Sequence, residues 1–193
     1  MIERERVIQL LDKYIKTEWL RLHMRESEAI MRALAEELGE DEQLWGLSGL
    51  LHDIDYDWVD KDPKRHVIEF DKIMEMEGLR IGEDIPQEMY HAIKAHYEEH
   101  PDIKQKRESR LDFALSASET LSGFLVACAL VQPDKKISSV GVNSVMKKFK
   151  KKDFAKAVNR ELIYDIEKTG ISLERFIEIA LGSMNEISNE IGL

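Results

Sequence analysis

Four side chains in this sequence are of types that hold a metal ion, and each sits where a helical chain would bury it. His23 falls on the inner face of a helix predicted over 23–38, together with Ile30 and Leu34 at helical spacing. His52 and Asp53 end the segment Leu44 to Ile54, which is apolar almost all round and therefore belongs in the middle of a domain. Glu119 lies inside a long apolar segment over 110–131. Imidazole and carboxylate together suit Mn, Fe, Co, Ni or Zn, with Mg as a further divalent possibility. Burying several such groups side by side is costly unless they are paired or bind a cation. Taken alone, His52-Asp53 also reads as a helix-terminal histidine followed by an aspartate that begins a turn.

The elements that must position these groups are helices. Residues 2–20 place Ile2, Val7, Leu10, Leu11, Tyr14, Ile15 and Leu20 near helical spacing, and the next helix, 23–38, ends near Gly39. Asp41 is a plausible N-cap for the helix that reaches Ile54. A loop over 55–62 leads to Pro63, well placed at the start of a helix that carries His66 and ends at Gly78. Another helix starts near Pro86, includes His91 and His96, and stops at Pro101. At about 100° per residue, His96 shares an inner face with Met89 and Ile93, whereas His91 points elsewhere. His100, beside Pro101, reads as solvated. After a polar loop comes the long helix 110–131, in which Asp112 sits one heptad before Glu119 and reads as exposed near the helix start. A short basic segment, 144–152, precedes two amphipathic helices over 153–169 and 172–190, parted by Gly170. Residues 137–142 are the one strand candidate. The expectation is all-α: a compact multi-helix bundle forming one domain over 1–193, with a core at about 20–131 and a C-terminal helical extension at about 132–193.

Composition excludes several function classes. A formal charge of −10 opposes extended nucleic-acid binding, because most of the surface would repel a polyanion. The single cysteine, Cys128, allows no intrachain disulfide, and its apolar neighbours make it inert packing. The charged start Met-Ile-Glu-Arg-Glu-Arg lacks a signal-peptide core, and the apolar stretches read as shorter than the ~20 residues that span a bilayer, so a cytoplasmic protein without a membrane partner is expected.

The order His23, His52-Asp53 and a distant acidic residue resembles the HD-domain superfamily of metal-dependent phosphohydrolases. The resemblance extends through Glu28 to Ala35, Trp45-Gly46-Leu47, Gly49 to Tyr56, His91 to His96 and Arg107 to Leu111, covering most of residues 20–165. It implies that His23, His52 and Asp53 are metal ligands. The family's last ligand is an Asp, and here that position falls on Glu119, which keeps the charge but adds a methylene; Asp112 is the substitute candidate. Some members hold a second metal through additional histidines, which makes His66, His96 and His91 candidates for a second metal or for substrate.

A divalent ion in such a site acidifies water and offsets charge on a phosphoryl group. Asp53 would orient that water, with Asp55 or Asp57 as base or acid, both of which also read as helix-end turn carboxylates. Phosphate calls for further positive charge. Lys94 is one candidate; the others are Lys147 and Lys148, in a Ser-Val-x-Lys-Lys segment that also reads as a solvated helix face. The expected activity is hydrolysis of a phosphomonoester or phosphodiester, a nucleotide or related small metabolite. The alternative is a ligand-binding or regulatory module that keeps the fold without turnover, and a homodimer is possible.

Overall fold

The computed structural model describes residues 1–193 and is all-α. Ten α-helices follow one another: α1 Arg4–Tyr14, α2 Glu18–Leu38, α3 Glu42–Leu51, α4 Phe70–Met76, α5 Gln87–Ala95, α6 Arg110–Leu130, α7 Val142–Phe149, α8 Arg160–Tyr164, α9 Leu173–Glu186 and α10 Ser188–Ile191. Residues 137–142 form no strand; Ile137–Ser139 is a turn of 3₁₀ helix and α7 starts at Val142.

Helices α2, α3 and α6 make the centre, with α9 packed on α2, and α5 and α8 on α6. One continuous apolar core runs from Ile2 to Ile191. Asp41 caps α3, its side chain accepting the Leu44 N–H at 2.9 Å. Gly49 lets α3 lie directly on α2: a Cβ there would stand 2.7 Å from the Ser27 carbonyl oxygen. That close approach brings His52, three residues on, beside α2.

Several boundaries differ from expectation. The first helix stops at Tyr14 and the second begins at Glu18, so His23 lies inside the second turn of α2 rather than at its start. Asp57 makes this corner: it accepts both the Lys16 and Thr17 N–H groups at 2.7 Å and the Thr17 hydroxyl at 2.8 Å. Residues 63–69 are turns rather than helix. Val67 has φ 68°, a strained value for a β-branched residue, and its carbonyl accepts Lys94 Nζ at 2.8 Å. Residues 153–159 are likewise irregular, because Arg160 donates to the carbonyls of Phe149, Lys151, Phe154 and Val158, holding the chain in a curl that no helix could satisfy.

Helix α6 corrects the membrane expectation: at 21 residues and a mean hydropathy of 1.5 it is long and apolar enough to cross a bilayer. In this fold it is the central helix, and neighbouring helices cover most of it. Its start is fixed by a capping box. Ser109 accepts the Asp112 N–H while Asp112 accepts the Ser109 N–H. Asp112 is therefore fully buried, not exposed.

Candidate metal centre

Five side chains from four places in the chain meet at one point. His23 comes from α2, His52 and Asp53 from the end of α3, His66 from the turns that follow, and His96 from the end of α5. The Asp53 carboxylate is the hub. Its Oδ2 lies 3.4 Å from His52 Nε2 and 3.9 Å from His23 Nε2; its Oδ1 lies 3.2 Å from His66 Nε2 and 3.5 Å from His96 Nε2. Two sets of ligating atoms result, His23-His52-Asp53 and Asp53-His66-His96, each within 4.8 Å of one another.

Each imidazole is oriented from behind. His52 Nδ1 donates to the Gly49 carbonyl at 2.8 Å and His96 Nδ1 to the Ile93 carbonyl at 2.6 Å. His66 Nδ1 meets Asp55 Oδ1 at 2.9 Å, and His23 Nδ1 meets the Ser122 hydroxyl of α6 at 2.9 Å. Carbonyl and carboxylate oxygens only accept, so Nδ1 of His52, His66 and His96 carries a proton and Nε2 is the atom left to face Asp53. His23 Nε2 and His52 Nε2 stand 3.3 Å apart. Four imidazoles gathered on one carboxylate call for positive charge among them, and the donor set fits a divalent metal.

The proton affinities express the same demand. Burial works against charge on His66, but the Asp53 and Asp55 carboxylates override it and push its pKa up to about 10. Burial likewise opposes protonation of His52, and Asp53 raises its pKa nonetheless. His23 goes the other way, to about 4, through burial and the neighbouring His52. His96 is also lowered, chiefly by burial. Burial would raise Asp53, yet His52 and His66 hold it well below the usual carboxylate range.

The remaining candidates divide. Glu119 faces the cavity beside the cluster without joining either set of ligating atoms. Burial pushes its carboxyl up to about 7, and Oε1 accepts the Thr120 hydroxyl at 2.6 Å. Asp55 is fully buried and contacts the cluster only through His66. Asp57 serves the α1–α2 corner instead. His91 lies outside the cluster, paired with Asp112 at 3.2 Å. Lys94 is spent on Val67 and on Asp71, 2.8 Å from each. Lys147 is exposed on α7 and Lys148 donates to Ser144; neither lines the cavity. His100 is buried rather than solvated, bonded to the Lys64 carbonyl.

Sequence reasoning missed Ser122 and Glu26. Ser122 gives no signal until α6 is laid against α2. Glu26 gives one: it follows His23 by three residues, on the same face of α2, and is 4% exposed where it lines the cavity. Burial pushes its carboxyl up to about 7.

The cavity over the cluster measures about 900 Å³, between α2, α6, the curl before α8, and α10. A family model described as HD domain matches residues 21–120, just over half of the chain. No curated protein and no solved structure matches it.

Proposed function

The chain belongs to the HD domain family, and from that premise we propose that it is a metal-dependent phosphohydrolase whose residues around Asp53 would hold two divalent ions. The observation that supports this most is the convergence of four Nε2 atoms on one carboxylate, with every Nδ1 already engaged. His23 and His52 would hold one ion with Asp53, and His66 and His96 the other. Four imidazoles favour a transition ion over magnesium. When bound, such ions ease the deprotonation of water and offset charge on a phosphoryl group.

The chain's own residues do the rest. Asp55, Ser122 and the Gly49 and Ile93 carbonyls fix the direction of the rings. Glu119 and Glu26 put carboxyl groups on the cavity wall beside the cluster. Tyr56 and Tyr97 complete the wall around His66. Asp55 acts by positioning His66, and Lys94 by pinning the strained turn next to it, in place of the direct catalytic and phosphate-binding roles their sequence suggested.

A second reading, ligand binding without turnover, draws support from Glu119, which stands where the family places an aspartate and lies outside both ligand sets. Calorimetric titration of chelator-stripped protein with Mn²⁺, Ni²⁺ and Mg²⁺, beside Asp53→Ala, tests the metal centre. Saturable Mn²⁺ or Ni²⁺ binding that the variant loses is expected; equal heats from the two proteins would sink the proposal. Phosphate release by the loaded protein then separates enzyme from binding module.

A further inference from the structure

We propose that the cavity selects a phosphate monoester of an uncharged, apolar alcohol and rejects ligands that carry a second anionic group. The inference rests on the phosphohydrolase reading of the cluster at its floor. No lysine or arginine lines the cavity. Four basic groups of the elements around it are engaged elsewhere. Arg107 donates to the Ala95 and His96 carbonyls and pairs with Glu98, Glu99 and Asp165. Arg160 is bonded to backbone carbonyls, Lys94 to Val67 and Asp71, and Lys148 to Ser144.

One phosphoryl group can be neutralised at the metal cluster. A second anion further out would meet the carboxyl groups of Glu26 and Glu119 with no lysine or arginine in the cavity wall to compensate it. The wall is instead mostly apolar, with Trp19, Leu22, Val126, Leu130, Val158 and Leu162 prominent in it. Trp19 and Leu130 are 55% and 52% exposed, large apolar surfaces that an apolar ligand would cover. Glu26, 4% exposed, faces the same space and offers a carboxyl oxygen to a hydroxyl group elsewhere on the alcohol. In the reaction, the oxygen of water bonds to phosphorus as the bond from phosphorus to the alcohol oxygen breaks; one proton of water ends on the alcohol and the products are the alcohol and inorganic phosphate.

The probes are phenylphosphonate, phosphonoacetate and inorganic phosphate, titrated calorimetrically into the Mn²⁺-loaded full chain. None is hydrolysed, so selectivity is read without turnover. Phenylphosphonate should bind at least about tenfold more tightly than phosphonoacetate, and Trp19→Ala and Leu130→Ser should each lower the phenylphosphonate-to-phosphate affinity ratio, by up to about tenfold. Phosphonoacetate binding as tightly as phenylphosphonate, a ratio unmoved in both variants, or no binding of any probe would overturn the proposal. If the selectivity holds but 1-naphthyl phosphate releases no phosphate, the hydrolase reading fails and the ligand class stands.

Discussion

At the scale of single residues, Asp53 and Asp55 show how two nearby carboxylates of one turn take different work. Asp53 turns into the cluster and touches four imidazoles; Asp55 turns away, fully buried, and holds His66 from behind. Its second oxygen, Oδ2, has no hydrogen-bond partner, so its charge is committed to His66. Asp55→Asn keeps an acceptor but removes that charge. The ion held by His66 and His96 should then bind ~10–100-fold more weakly, with the ion at His23 and His52 little changed. Calorimetric stoichiometry resolves this: two sites in the parent against one tight and one weak site in the variant, whereas a parallel weakening of both would argue against the division.

At the scale of elements, the cluster depends on how closely α3 crosses α2. Gly46 and Gly49 both face α2, but they meet different things. A Cβ at Gly46 would meet the Arg32 side chain, which can swing away; at Gly49 it would meet the Ser27 backbone, which cannot. Gly49→Ala is therefore expected to destabilise by about 1–3 kcal/mol and to weaken metal binding by moving His52 from His23, while Gly46→Ala costs less. Urea-unfolding midpoints of the two variants check the ranking, and equal midpoints would show that the α2–α3 contact is softer than described. The same scale explains why the His66 segment is not helical. Bonds from His66 to Asp53 and Asp55, and from Lys94 to the Val67 carbonyl, outweigh the local preference that Pro63 suggested.

At the scale of the whole molecule, metal binding, protonation and stability are linked. His66 has its pKa raised to about 10 in the folded, metal-free chain, so the stability it contributes is complete below its unfolded value near 6.5 and is lost as pH rises through 10. His52 shifts in the same direction. A metal must displace these protons, so metal affinity rises with pH over the same window. The thermal shift given by Mn²⁺ or Ni²⁺ should accordingly be larger at pH 8 than at pH 6. A free ion concentration of 100 times Kd contributes about 2.7 kcal/mol, or several degrees for a chain of this size. Thermal unfolding with and without the ion at both values of pH measures it; a shift that shrinks with rising pH would mean the ion sits away from the imidazoles.

The sequence by itself determined the helical class and the burial of α3 and α6, because each follows from local periodicity, while the grouping of His23 with His52 and Asp53 came from the resemblance to the family pattern. It also marked His96 over His91, since their separation of five residues puts them on different faces of α5. Only the tertiary structure decided the rest. His66 joins the cluster from irregular backbone, where no period predicts direction. Lys94, Asp112 and Asp57 carry charges whose partners lie 3 to 41 residues away, so their use in holding turns and helix starts is decided by the fold. The acidic and apolar character of the cavity emerges in the same way, from α2, α6 and α10 meeting around the cluster, since where a side chain's charge is spent depends on which elements fold against it.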